Sequence, residues 1–110
     1  MTDALTIAAL TARMHEFVRT KGWYEDDSIH PQTPRNLAAS LSIEAAEVLE
    51  HYQWDPADVD TDALAGELAD VLLYLLQLAS IEDIDLQQAT LDKLNQNYGR
   101  DWPAKDAPNG

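Results

Sequence analysis

Apolar residues recur every three to four positions along most of the chain, and the recurrence divides it into four helical segments. The first is predicted over about residues 3–21, from Asp3 to Lys21, with Ile7, Leu10, Met14, Phe17 and Val18 on one face and Gly22 as its stop. A polar stretch follows over 23–33. Thr33-Pro34 then reads as an N-cap with proline at the first helical position, opening a second helix to about Gln53. Asp55-Pro56 breaks that helix, and 55–60 reads as a loop. The third helix, about 61–80, is the most apolar. An acidic turn over 82–85 leads to the fourth, where Asp85 with Gln88 three residues on resembles a capping box; that helix runs to about Tyr98 and stops at Gly99. Nothing alternates with the period of a strand. The expected fold is all-α: one four-helix domain over 1–103 and a loose tail over 104–110.

The apolar faces also speak to assembly. The third helix carries Leu73 and Leu76 outside its main stripe, more apolar surface than three short neighbours can cover. Completion of the bundle by a homodimer or homotetramer is therefore expected.

Composition narrows the function. The 110 residues contain 45% hydrophobic side chains, enough for one core. No apolar run reaches the roughly 20 residues that span a bilayer, since 72–79 is interrupted by Tyr74 and Gln77. No basic stretch precedes an apolar run at the start, so no secretion signal is read. With no cysteine, disulfides and thiolate metal sites are out, and a cytoplasmic location is the default. Seven Lys+Arg against twenty Asp+Glu leave a net charge of −13, a surface that repels nucleic-acid backbones and anionic membranes. It would repel a small anionic substrate too, unless a cation stood between them.

Particular carboxylates sit where such a cation would. Glu44, Glu47 and Glu50 follow one another at three-residue intervals on the second helix, and Glu67 and Asp70 on the third. On a helical wheel with Glu44 at zero, Leu37, Leu41, Val48, Tyr52 and Leu49 fill a sector of roughly 20° to 140°, and Glu47 lies about 60° outside it. With Glu67 at zero, Leu78, Val71, Leu64, Leu75, Leu68 and Leu72 fill the same sector of roughly 20° to 140°, and Asp70 again lies about 60° outside. Both helices thus carry an acidic pair on the same edge of the apolar stripe, and packing the stripes together brings four carboxylates to the rim of the core. Unbridged, they would repel and take up protons; Mg²⁺ takes carboxylate oxygens together with water and substrate phosphates. The plain alternative is two solvated helix edges, which acidic residues at this spacing often form.

These residues resemble a known family. The runs from Ser42 through Glu44, Glu47 and Glu50 to Gln53-Trp54, and from Glu67 through Asp70 to Tyr74, are similar to the MazG-like all-α nucleoside triphosphate pyrophosphohydrolases. Pro34-Arg35-Asn36-Leu37, Asp85-Leu86 and Asp92-Lys93 with Asn97 are similar to the small dCTP pyrophosphatase branch. The resemblance implies that Glu44, Glu47, Glu67 and Asp70 hold Mg²⁺, with Mn²⁺ able to substitute. It implies that Glu50 activates water or supports the ligands, that Lys93 and Asn97 contact phosphate, and that Trp54 lines a base pocket. Trp23 and Asn36 align with other pocket residues. The link around His30 is longer than in the family, and only Arg100 stands where the family runs basic residues, so these two are weaker members of the substrate-binding set.

The implied reaction is hydrolysis of a (d)NTP, such as dCTP or a modified form, to the monophosphate and pyrophosphate, in the service of nucleotide-pool sanitation. Read without the family, Lys93 is a surface lysine and Trp54 serves equally as a core or interface aromatic. Tyr98 and Trp102 are assigned to packing, and His15 to a helix surface. Two other functions compete: a phosphoribosyl-ATP pyrophosphohydrolase sharing the acidic pairs, and a non-catalytic acidic helical adaptor for a basic partner.

Overall fold

The computed structural model describes residues 5–100. The expected helix start at Asp3, Trp102, and the end of the domain with its tail at 104–110 lie outside them. Among the described residues the chain is all-α, with four helices and no strand: α1 (Ile7–Thr20), α2 (Pro34–Glu50), α3 (Thr61–Ile81) and α4 (Leu86–Tyr98).

Each helix starts on a side-chain cap that accepts an otherwise unsatisfied backbone N–H. Thr6 Oγ1 accepts from Ala9, Thr33 Oγ1 from Asn36, Asp60 Oδ1 from Asp62 and Ala63, and Asp85 Oδ1 from Gln88, at 3.0 to 3.2 Å. The last is half of the expected capping box. The Gln88 side chain does not complete it, but donates to Asp92 Oδ1 at 2.8 Å, one turn further on. α1 stops at Gly22, whose φ of 75° lies in the left-handed region; no atom stands within 4 Å of where its Cβ would be, so the requirement is conformational. α2 ends at Glu50, three residues short of the expected Gln53. His51, Tyr52 and Gln53 donate to carbonyls three residues back, tightening the chain into turns. Asp55, ahead of a proline, is extended, and Pro56–Asp58 forms one 3₁₀ turn inside the expected loop.

The short connection makes α2 and α3 an antiparallel hairpin, the main packing unit of the fold, with α1 laid against α3. The hairpin faces differ from the sequence reading. The buried or half-buried positions of α2 are Leu37, Ser40, Leu41, Glu44, Glu47 and Val48; those of α3 are Leu64, Glu67, Val71, Tyr74 and Leu78 on one strip, joined in its C-terminal half by Leu76, Gln77, Ala79 and Ser80. Each helix is therefore turned by roughly 60–80° from the expected orientation. Glu44 and Glu67 stand in the middle of the contact, not at its rim. The sector expected to be core is open on one side of the hairpin: Leu68 is 52% exposed, Leu72 41% and Leu75 39%, with Leu49 and Tyr52 of α2 exposed as well. Leu76, placed outside the main stripe by the wheel, is one of the two most deeply buried side chains, together with Leu37.

The reason is α1. It covers the far side of the C-terminal half of α3, so Leu76 and Ala79 pack there with Met14 and Val18, and the core is displaced from the α2 side. Leu76→Ala should therefore lower the stability to chemical denaturation by about 2–5 kcal/mol, the range for a buried leucine whose cavity only partly collapses.

α3 spans 21 residues with a mean hydropathy of 1.5 over its apolar window, long and apolar enough to cross a membrane by length and composition. The sequence reading stopped at Tyr74 and Gln77, but neither is charged, and a helical window tolerates both. In this fold α3 is the central helix, with Glu67 turned into its contact with α2.

Candidate metal and nucleotide site

Antiparallel packing sets Glu44, in the second half of α2, opposite Glu67, in the first half of α3. Carboxylate oxygens of Glu44, Glu67 and Asp70 lie within 4.8 Å of one another. Glu44 and Glu67 are half-buried, and one oxygen of each, Oε2, is shut off from solvent without a hydrogen-bond partner. Such atoms cost free energy unless something positive meets them. The Glu44 carboxyl is pushed above its ordinary value of 4.5, first by the opposing Glu67 carboxylate, which favours the protonated form, then by burial and the charge of Asp70; Glu47 partly offsets this. An oxygen-only donor set with two orphaned lone-pair donors fits a hard divalent cation. Glu47 is half-buried one turn from Glu44 and outside the tight group of three; Glu50, at the end of α2, is exposed.

Beside the cluster opens a cavity of about 850 Å³. Glu44 and Asp70 form part of its wall, and Trp23, His30 and Asn36 form another part, so five of the expected site residues line one space. Trp23 sits edge-on between the Phe17 ring, at 5.7 Å, and the His30 ring, at 5.9 Å. Asn36 Nδ2 donates to the Pro31 carbonyl at 2.9 Å, tying the preceding loop to the start of α2. The volume and the mixture of aromatic and polar walls suit a small organic ligand.

The remaining expected residues are not on this wall in a single chain. Trp54 stands 88% exposed beyond α2, on the turns that end the helix early. Lys93 and Arg100 are exposed and Asn97 half-buried on and just after α4. Tyr98, expected in packing, is exposed too. Sequence reading missed Arg13, Ser40 and Gln77 as cavity residues, and quoted Tyr74 only as part of a motif. Tyr74 and Gln77 follow Asp70 by four and seven positions, so the helical period itself was the available signal. Arg13 carried none.

Comparison with known proteins agrees with this geometry. Residues 32–101 match the MazG nucleotide pyrophosphohydrolase domain. The chain is 36% identical over 98 residues to dCTP pyrophosphatase 1 of Bos taurus, covering 80% of this chain and 55% of that protein. It is also 36% identical over 102 residues to dCTP pyrophosphatase 1 of Homo sapiens, covering 84% and 56%. It thus spans about half the length of these relatives. A pyrophosphatase from Archaeoglobus fulgidus, known from its crystal structure, superposes with a TM-score of 0.73 at 32% identity, covering 88% of this chain and 93% of that one. The chain belongs to the MazG nucleotide pyrophosphohydrolase family.

Proposed function

From that membership, we propose that the protein hydrolyses a nucleoside triphosphate to the monophosphate and pyrophosphate, with dCTP or a modified form as preferred substrate. The observation that carries the proposal is the three-carboxylate group, with its two orphaned oxygens, on the wall of a nucleotide-sized cavity. The relatives' name supports the base; the cavity accommodates one beside Trp23 and His30.

Glu44, Glu67 and Asp70, with Glu47 one turn away, would hold Mg²⁺, or Mn²⁺ in its place. A bound divalent cation polarises phosphoryl oxygens and lowers the pKa of water. The protein's own contribution is positioning. The two glutamates are held opposite each other by helix packing, so they are preorganised for a cation and need not be gathered by it. In the net reaction one water adds across the α–β anhydride, the P–O bond breaks and pyrophosphate leaves. Glu50 is assigned to support the ligands or take the water's proton. Trp23 and Asn36 shape the base end of the cavity, and Trp54 is assigned to stacking on a base.

Assembly belongs to the same reading. The open leucine face of the α2–α3 hairpin lies on the side away from the cavity, and a second copy would cover it in a homodimer, or in a homotetramer of two such pairs. Lys93 and Asn97, one turn apart on α4, and Arg100 after it are assigned to the triphosphate, which they would meet in the assembled bundle.

Incubation with Mg²⁺ and a panel of dNTPs and NTPs, with the products resolved, tests the reaction. Monophosphate plus pyrophosphate, led by a cytidine nucleotide, is the expected outcome. Release of inorganic phosphate, no turnover of any member, or turnover of phosphoribosyl-ATP alone when it is tried beside the panel, would overturn it.

A further inference from the structure

Gln77 is 3% exposed and is the buried polar side chain among the described residues; the other buried residues of α3, Leu76 and Ala79, are apolar. Burying an amide costs free energy unless its hydrogens are used, and both are. Gln77 Nε2 donates to Gln32 Oε1 at 2.8 Å and to the Tyr24 hydroxyl at 3.2 Å. The assignment is internally fixed: Gln32 Nε2 donates to the His30 carbonyl at 2.6 Å, so its Oε1 must face Gln77 and receive an N–H.

The network continues beyond Gln77. The Tyr24 hydroxyl lies 2.6 Å from His15 Nδ1, and His15 Nε2 lies 2.7 Å from Ser80 Oγ. His15, expected on a helix surface, is half-buried between α1 and α3; burial first, and Arg19 second, lower its pKa below 6.5 and hold it neutral. Burial also keeps the Tyr24 phenol protonated, above its ordinary value. With His15 neutral and protonated on Nε2, donors run in one order, Gln77 to Tyr24 to His15 to Ser80.

The segment held in this way, 21–33, has turns but no helix or strand. It carries Trp23, Ile29, His30 and Gln32, all on the cavity wall. Gln77 lies seven residues beyond Asp70 on the same helical strip, about 10.5 Å along the axis, a separation on the scale of a nucleoside.

We propose that Gln77 is a positioning residue that clamps the 21–33 segment onto α3 and thereby sets the base-binding end of the cavity. The proposal rests on reading that cavity as the nucleotide site. It separates two jobs on one helix: Glu67 and Asp70 at the phosphate end, Gln77 at the base end. Gln77 acts through Gln32 and Tyr24 and so governs binding, not the chemical step.

Two variants test it. Gln77→Met keeps length and volume and removes both donors; Gln32→Met removes the acceptor of one of them, together with its own donation to the His30 carbonyl, and leaves α3 untouched, so it serves if the buried change prevents folding. Each is measured for Mg²⁺-dependent dCTP hydrolysis and for amide hydrogen exchange over 21–33. The expected result is a KM raised about 10-fold by Gln77→Met with kcat within about twofold, and exchange over 21–33 faster by a similar factor. Gln32→Met should move both in the same direction by less, and the double variant should fall short of the sum, because the two act on one hydrogen bond. Unchanged KM and exchange, or a fall in kcat at constant KM, would overturn the proposal. If the wild-type protein turns over no nucleotide, the functional reading fails, and the exchange data alone still decide whether Gln77 holds the segment.

Discussion

Glu44→Gln should abolish Mg²⁺-dependent hydrolysis, by more than about 100-fold, while making the metal-free protein melt higher, by of the order of 5 °C. The two effects share one cause. Glu44 faces Glu67 at the centre of the helix contact, and without a cation the pair is held together against repulsion. Glutamine keeps the shape, removes the charge and can donate to Glu67, so packing improves as the cation site disappears.

The pH dependence carries the same sign. The folded-state pKa of Glu44 is raised, so the native protein binds more protons than the unfolded chain just above the ordinary value of 4.5. The contribution is therefore present at low pH and lost as pH rises through the raised pKa. Metal-free wild type should lose stability across that window more steeply than Glu44→Gln. Saturating Mg²⁺ should restore it, by about 2.7 kcal/mol at a hundred times the dissociation constant, in the wild type alone. A variant that melts lower than wild type without metal and keeps its Mg²⁺ response would rule out Glu44 as a ligand. Thermal melts with and without Mg²⁺ at several pH values make the comparison.

Leu68→Glu with Leu72→Glu should convert the proposed dimer or tetramer to a species of 12.3 kDa that no longer melts cooperatively. Both leucines lie on the open side of the hairpin, 52% and 41% exposed in a single chain, and away from the cavity. Inside one chain the substitutions cost little, since the carboxylates would point into water. In a dimer they place charge in the middle of a buried apolar seam, which several kcal/mol would not offset. Among the described residues the single-chain core holds only Leu37 and Leu76 as fully buried large side chains, too little to stand alone. Light scattering and calorimetry separate the outcomes. A wild-type mass of one chain, or a double variant as large and as stable as wild type, would refute assembly through this face.

Much of this fold was legible because its signals are local. Thr33-Pro34 and Asp85 announce helix starts through chemistry confined to one turn, and Thr33 and Asp85 cap their helices; Asp60, read only as the end of a loop, caps α3 in the same way. The acidic pairs were legible because a three-residue interval is a statement about one helix. What required tertiary knowledge went differently. The wheel correctly grouped the leucines but faced them wrongly, since it treated α2 and α3 as each other's only partners. It did not weigh the cover α1 gives to Leu76, which moved the core and left Leu68, Leu72 and Leu75 open. His15 illustrates the same gap: its burial depends on Tyr24 and on Ser80, 65 residues away. Gln77 was visible only as an interruption in an apolar run, and its partners come from a segment with no periodicity to read.

Caps at all four helix starts have a kinetic consequence. Each helix is nucleated by a side chain within its own first turn, and the dominant packing joins helices adjacent in sequence. Chains with such short-range instructions form their native topology in microseconds to milliseconds. In the proposed dimer, the slow step would be the meeting of two hairpins, a second-order event whose rate scales with the square of the chain concentration. Activity after synthesis or dilution of such a dimer would follow a lag set by abundance, so the supply of the protein would govern how soon each copy works as well as how many there are.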